Sequence, residues 1–411
     1  MRKHRVVVTG IGVVTPIGIG KDLFWSALRA RKVGVRPITR FDASAYNSRI
    51  AGEVVDFDPT DFVDAKRLRW TERYAQFSIA AARLAMDDAR YHVNGDGNDV
   101  GVYIGSALGG LAYAEAQSEE FRTKGIEVVR PLLAISVFGG SSVSNVAIAF
   151  GLCGPNVANA NSCASGTVAV GQAFRAVASG EARAALAGGV EAPLAPLIFG
   201  AFTVINAMSR RNDDPAAASR PFDAQRDGFV MAEGAGMLVL ERYEDAARRD
   251  APIYAEVKGF GLSNDAYHMS APRPDGSQVA RAMQLALDDA GIAPGDVDCI
   301  NAHGSSTPLG DRTELEAYGH VFGSRSPDVA VCATKGQHGH ALGATGAWEI
   351  AVSLLGMQDS ILPGAVNLRS TDSKRTINCS ANERSLEQRT VLSNSSGFGG
   401  INAALVLQRS T

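Results

Sequence analysis

The chain lacks any long apolar run. Its start, MRKHRVVVTGIG, is basic, but only three consecutive valines follow before polar and glycine residues intervene. That is too short for a signal-peptide core or a membrane span, so no membrane insertion is expected. An excess of one charge is also missing: 40 Lys and Arg against 43 Asp and Glu leave a net −3, with the signs intermixed. Nothing here marks a nucleic-acid surface. The five cysteines, Cys153, Cys163, Cys299, Cys332 and Cys379, form no CxxC pair, and an odd count is a poor basis for a disulfide framework. The GIG at residues 10–12 is not continued as GxGxxG, and Pro16 interrupts the helix a dinucleotide fingerprint needs. The 44 glycines are scattered rather than gathered in low-complexity repeats, which predicts many tight turns and close backbone approaches. An enzyme in reducing, cytoplasmic surroundings fits these absences.

What is present is enough for a large core: 411 residues, 45% hydrophobic, as one composite domain or two intimately packed ones. The chain is organised around residues 157–171, VANANSCASGTVAVG. A short apolar run leads to Cys163, and a small-residue stretch opens an Ala-rich helix ending near 178. A cysteine at a helix start, where free N–H groups favour the thiolate, is a plausible nucleophile. Elsewhere the periodicity predicts strands at 5–8, 100–104, 182–187 and 234–240, and helices at 21–30 and 69–90. Residues 111–131 read as a mobile region.

From Ile253 the outline of the first half recurs. LAMDDA at 84–89 returns as LALDDA at 285–290, each followed by an Asp-Val pair and a strand ending at a glycine. The strand before Cys163 corresponds to the one before Lys335, and GAGMLVLE at 234–241 corresponds to GGINAALVLQ at 399–408. Four echoes in one order argue for a duplicated α/β unit, with halves 1–252 and 253–411. Strands apolar on both faces require helices on both faces of each sheet, which predicts a five-layer α/β/α/β/α arrangement with the copies face to face.

Two histidines complete the chemistry. His303 lies at a strand end in NAHGSSTPLGDRTE, and His340 precedes the Ala-rich helix at 344–355 in the segment that corresponds to the Cys163 segment. The repeat symmetry therefore brings His340 and Cys163 toward one centre. Attack of Cys163 on an acyl thioester would give an acyl-cysteine, and two histidine N–H donors would hold the enolate oxygen of a malonyl thioester. Lys335 is expected to maintain charge and orientation through Glu314.

Nearly the whole chain resembles the β-ketoacyl-[acyl-carrier-protein] synthases of the elongating type, most closely bacterial synthase II. The shared segments are VVVTGIGVVTPIG, SCASG, SRPFDAQRDGFVMAEGAG, NAHGSSTPLGD, TKGQHGHALGATGA and NSSGFGG. The resemblance implies a thiolase fold, a homodimer, an acyl carrier protein as partner and substrates carried on phosphopantetheine. It assigns Cys163 as acyl acceptor, His303 and His340 to decarboxylation and condensation, Lys335 as charged support and Glu314 as its partner. The backbone N–H groups of Cys163 and Phe398 would form the oxyanion hole, with Phe398 as gate. Ser270, Ser305 and Thr307 match the pantetheine tunnel, and Leu108 and Phe202 the acyl pocket at the dimer interface. No cofactor is required, while Asn301, Glu349, Asn394 and Ser395 match a structural Na+ or K+ site.

The departures are Ser396 for the phenylalanine usual before GFGG, Gln337 and His338 for methionine and threonine, and Asn161 for a small residue. They open the alternative of a ketosynthase dedicated to a specialised fatty-acid or polyketide chain. A non-catalytic scaffold is the competing class, and it would not require Cys163, His303 and His340 together. Lys66, Arg67, Arg69 and Arg73, with Arg210 and Arg211 as a second group, are the basic clusters expected to meet an acidic carrier.

Overall fold

The computed structural model describes residues 3–93, 95, 97–371 and 376–410. Each half of the chain builds the same five-stranded array. In the first, strands Asn156–Asn159, Val100–Gly105, Ala184–Glu191, Gly234–Arg242 and Val6–Thr15 lie side by side in that order. In the second, Ala330–Cys332, Cys299–Asn301, Thr390–Gly397, Ile401–Gln408 and Ala255–Asn264 repeat it. The first three strands of each array are parallel and the last two antiparallel. The duplication visible in the sequence is thus a duplication of topology.

Helices Ser165–Ser179 and Thr345–Asp359 lie between the two arrays. Arg73–Asp88 and Ser141–Phe150 cover the outer face of the first, and Ser277–Ala290 and Pro308–Phe322 that of the second. Three buried apolar clusters fill the spaces between layers, and successive strand residues alternate between them. Leu238 and Leu240 face the central helices, whereas Met237 and Val239 face outward; Leu405 and Leu407 face inward, and Ala404 and Val406 outward. This alternation on two covered faces is why the strands read as continuous apolar runs. The expected five layers are present, with one addition. Val6–Val8 pairs antiparallel with Ala255–Val257, so the two arrays are also sewn together along one edge into a single twelve-stranded sheet.

The GIG that resembles half a nucleotide fingerprint is a seat for a helix. A Cβ at Gly10 or Gly12 would lie 2.1 or 2.0 Å from the carbonyls of Ala85 and Ala81. Gly259 and Gly261 repeat the contact, at 2.1 and 2.0 Å from the carbonyls of Ala286 and Ala282. Between each glycine pair, the backbone N–H donates to the helix's terminal aspartate: Ile11 to Asp88 at 2.8 Å and Phe260 to Asp289 at 2.9 Å. Adding a methyl group at any of these glycines forces strand and helix apart, a strain of about 1–3 kcal/mol.

Several boundaries differ from the sequence expectation: the strand expected at 5–8 runs from Val6 to Thr15, and that expected at 182–187 from Ala184 to Glu191. The long helix begins at Arg73, because the Glu72 carboxylate accepts from the N–H groups of Tyr74 and Ala75 at 2.6 and 3.2 Å and starts it there. Within residues 111–131, for which no element was expected, Leu111–Lys124 is a helix, ended at Gly125 with φ 80°. Its sequence lacks a clear apolar stripe, since most of its side chains stay exposed or half-buried.

Candidate active site

The nucleophile turn and its duplicate meet at the centre. Ser162–Ala164 forms a 3-10 turn, with Ser162 at φ 53°, leading into helix Ser165–Ser179. Leu342–Ala344 forms the corresponding turn, with Leu342 at φ 40°, leading into Thr345–Asp359. Gly343 stands where the first copy has Cys163. The turns touch, for a Cβ on Gly166 would lie 2.7 Å from the Gly343 carbonyl. His340 immediately precedes the second turn, clipped by its N–H to Val230 O at 2.8 Å and by its carbonyl to Ala232 N at 3.0 Å.

His303 reaches the same centre from the strand end after Asn301. Its ring lies 5.3 Å from that of His340, at 84°. Glu314 fixes the loop that carries it, accepting from the N–H groups of His303 and Gly304 at 2.7 and 2.8 Å, from Tyr318 Oη at 2.7 Å and from Asn394 Nδ2 at 2.9 Å. The expected pairing of Glu314 with Lys335 is therefore corrected. The Lys335 ammonium instead bonds the Glu349 carboxylate and the His303 carbonyl, and both members of the ion pair are buried. The four donors on Glu314 already use its carboxylate, whereas Glu349 sits one helical turn inside the helix that follows Lys335.

Charge in the site follows burial. Burial, with the Lys335 ammonium beside them, holds both His303 and His340 well below the usual histidine range, so both rings are neutral. The Cys163 thiol is pushed up to about 11 by burial, which outweighs hydrogen bonds from Ser162 and the Phe398 N–H and the field of Lys335. Removal from water thus opposes the thiolate-favouring helix start and outweighs it.

Cys163, His303 and His340 all line one cavity of about 290 Å³. Leu108 and Phe202, with Ser270, Ser305 and Thr307, line the same cavity. Phe398 borders it and stacks on Phe202 at 6.1 Å and 14°; Phe202 meets Phe229 at 6.1 Å, and Phe229 meets His340 at 5.5 Å. A ladder of rings thus runs from Phe398 to the histidine. Gly397, beside Phe398, packs so closely that a Cβ there would lie 3.0 Å from the Cys163 nitrogen. Ser396 lines the cavity, but Gln337 and His338 do not. Gln337 Nε2 donates to Leu28 O at 2.9 Å, and His338 is buried against Trp348, bonded to Thr334 Oγ1 and Gly339 O at 2.9 and 2.7 Å.

The residues for which the resemblance implies a cation adjoin this centre. Asn301 Nδ2 donates to the Glu349 carbonyl at 2.6 Å, while Asn301 Oδ1, Glu349 Oε2, Asn394 Oδ1 and Ser393 Oγ are buried without a partner. The hydroxyl of Ser395, expected with Asn301, Glu349 and Asn394 at a cation, is instead paired with that of Thr167 at 2.8 Å, so Ser393 takes its place among the unpaired oxygens of the described residues. Of the basic cluster, Lys66 and Arg69 are exposed, but Arg73 is an internal strut bonded to buried Glu233 at 2.6 Å and to Val54 O at 2.7 Å.

Sequence reasoning passed over Glu191. Its buried carboxylate accepts from Ser106 Oγ and the N–H groups of Ala107, Leu108 and Gly343 at 2.8–3.0 Å. It thereby ties the acyl-side wall to the turn after His340, and burial raises it to about 7 against those four donors. A lone acid closing the apolar strand in GGVE was the available signal.

A duplicated five-layer fold with a cysteine where its two central helices begin defines the thiolase superfamily. Within it, the chain belongs to the beta-ketoacyl synthase family: residues 3–246 match the sequence profile "Beta-ketoacyl synthase, N-terminal domain", and residues 254–369 match "Beta-ketoacyl synthase, C-terminal domain". It is 44% identical to 3-oxoacyl-[acyl-carrier-protein] synthase 2 of Coxiella burnetii, over 100% of this chain and 99% of that protein. It is 41% identical to the protein of the same name from a Synechocystis species, with the same coverage. Among solved structures, the ishigamide ketosynthase/chain length factor superposes with a TM-score of 0.93 at 34% identity, covering 100% of both chains. The apo AntDE:AntF complex, a type II PKS acyl-carrier protein with its ketosynthase bound to the hexaketide, gives 0.91 at 34%, covering 99% of this chain and 100% of the other.

Proposed function

We propose that the chain is a 3-oxoacyl-[acyl-carrier-protein] synthase that joins an acyl group to a malonyl unit by decarboxylative Claisen condensation. The carrying observation is the convergence of Cys163, His303 and His340 on one cavity. Cys163 Sγ attacks the acyl thioester carbonyl, the bond to the carrier sulfur breaks, and the thiol proton ends on that sulfur. The malonyl thioester then loses CO2, its electron pair passing into the enolate. That carbon attacks the acyl carbonyl, the bond to Cys163 breaks, and the cysteine sulfur regains a proton from solvent. N–H groups of the neutral His303 and His340 rings stabilise the enolate oxygen, and those of Cys163 and Phe398 the tetrahedral oxyanion. Lys335 holds His303 through its carbonyl, and Glu314 is a positioning residue for the same loop.

The pantetheine arm lies along Ser270, Ser305 and Thr307, and the acyl chain against Leu108 and Phe202. The partner is an acyl carrier protein, met at Lys66 and Arg69. A second copy of the chain covers the apolar surface around Phe121, Ile126, Leu197 and Val204, which are 46–76% exposed. The two halves divide at 252/253, between helix Tyr243–Arg248 and strand Ala255–Asn264. Cytoplasmic placement suits a thiol nucleophile with four other free cysteines. Incubation with acyl-carrier and malonyl-carrier substrates should yield 3-oxoacyl-carrier, CO2 and free carrier; no carbon–carbon bond formation with any primer rejects the reading.

No organic cofactor enters this scheme. We propose that the unpartnered oxygens of Asn301, Glu349, Asn394 and Ser393 hold a Na+ or K+ ion, with a structural role. All are oxygen donors suited to a hard cation, and Asn301 and Ser393 are register partners on adjacent strands. A melting temperature indifferent to exchange of K+ or Na+ for choline would refute this.

The second reading, a ketosynthase of a specialised pathway, is favoured by Ser396. It lines the cavity where a phenylalanine is usual, and a smaller side chain leaves room for a longer or bulkier primer.

A further inference from the structure

The mechanism above asks His340 to present an N–H to the enolate oxygen, and a neutral imidazole does so from only one of its two nitrogens. His340 Nδ1 lies 3.0 Å from the hydroxyl of Thr345, five residues on, at the start of the helix that follows the second turn. Both residues are buried, at 2% and 1% exposure. Among the described residues, neither this nitrogen nor the Thr345 hydroxyl has a second hydrogen-bond partner. We infer that Thr345 is a positioning residue that donates its hydroxyl proton to His340 Nδ1 and thereby keeps the ring proton on Nε2, facing the cavity.

The direction of the bond follows from what each arrangement leaves unpaired. If Nδ1 carried the proton and donated to Thr345, the buried hydroxyl proton would have no acceptor among the described residues. A hydroxyl that donates leaves only oxygen lone pairs unfilled, and buried oxygens tolerate this better than buried donors do. A hydroxyl group can serve either tautomer, so the choice is made by the absence of another acceptor rather than by the group itself. The ring plane is fixed as well: Phe229 meets it edge-on at 82° and His303 at 84°. His340 is therefore held at its backbone, at its ring faces and at one nitrogen, leaving the other for substrate. His303 differs, since its Nδ1 is buried without any partner. This role leaves no mark in the sequence, because a threonine at a helix start is ordinary.

This inference rests on the proposed decarboxylative condensation for its catalytic meaning, but the tautomer is measurable without turnover. In protein labelled with 15N-histidine, the His340 signals, assigned by their loss in His340→Ala, should show an unprotonated Nδ1 and a protonated Nε2. Thr345→Val, which keeps the shape and removes the hydroxyl, should mix the tautomers and slow malonyl decarboxylation about tenfold, the loss expected of one buried hydrogen bond. Acylation of Cys163 should stay within about twofold, because no histidine N–H is required for it. Thr345→Ser should restore both the spectrum and the rate. A protonated Nδ1 in the unsubstituted protein overturns the inference. So does a Thr345→Val protein whose tautomer and decarboxylation are unchanged, or one in which acylation falls as far as decarboxylation. A protein that forms no acyl-Cys163 would refute the proposed function instead, and the nitrogen signals would still judge Thr345.

Discussion

Replacing Glu314 with Gln separates the scaffold of His303 from the reacting groups themselves. The carboxylate is 4% exposed and meets four donors. Three of them, the His303 N–H, the Tyr318 hydroxyl and Asn394 Nδ2, converge on Oε1; the Gly304 N–H alone meets Oε2. A glutamine keeps the shape and places its carbonyl at Oε1, where three bonds survive. Its amide nitrogen then faces the Gly304 N–H, so two buried donors oppose each other. One unsatisfied buried donor costs about 1–3 kcal/mol, and loss of the charge weakens the remaining bonds, so we expect about 2–4 kcal/mol. Glu314→Ala strips all four donors of their acceptor and should cost more. Urea titration of both variants measures the stability. Because the Gly304 end of the loop is released, His303 should drift and decarboxylation should fall by at least about tenfold. Acylation of Cys163, whose turn Glu314 does not touch, should persist. A Glu314→Gln protein with unchanged stability and unchanged decarboxylation would refute the clamp.

Two further predictions follow from the cavity. Since burial raises the Cys163 thiol to about 11, its thiolate fraction should still be growing above pH 9. Alkylation of Cys163 by iodoacetamide should then climb with pH throughout the range from 7 to 9; a plateau below pH 8 would mean an activated resting thiolate. Ser396→Phe should selectively slow acylation by long or bulky primers, because residue 396 lines the cavity beside Phe398; an unchanged primer profile removes it from specificity.

Much of this arrangement was legible because it is local. Small residues around Cys163, followed by an Ala-rich run, mark a turn entering a helix, and LAMDDA with LALDDA exposes the duplication. The GIG and GFG pair was missed as an echo because the residues between and around the glycines differ, although both seats serve the same helix contact. The partner of Lys335 was misassigned for a different reason. Glu314 and Glu349 are both helical acids at a suitable distance along the chain, and only packing shows that one is consumed by four donors. The weight of burial on the Cys163 thiol was not legible, because the helix start is visible in sequence whereas burial is a property of the assembled halves. The docking cluster lost Arg73 on similar grounds, its partner Glu233 lying 160 residues away.

In the proposed cycle one thiol carries the acyl group and two neutral histidines act only afterwards. A single-turnover chase separates these steps. Acyl-carrier substrate is added first, the acylated residue is located by peptide mass spectrometry, and malonyl-carrier substrate is then added. One acyl group is expected on Cys163, chased into 3-oxoacyl-carrier with release of CO2. His303→Ala and His340→Ala should load Cys163 yet fail to chase it. Acylation at another residue, or a Cys163→Ala protein that still loads and condenses, would overturn this order of events.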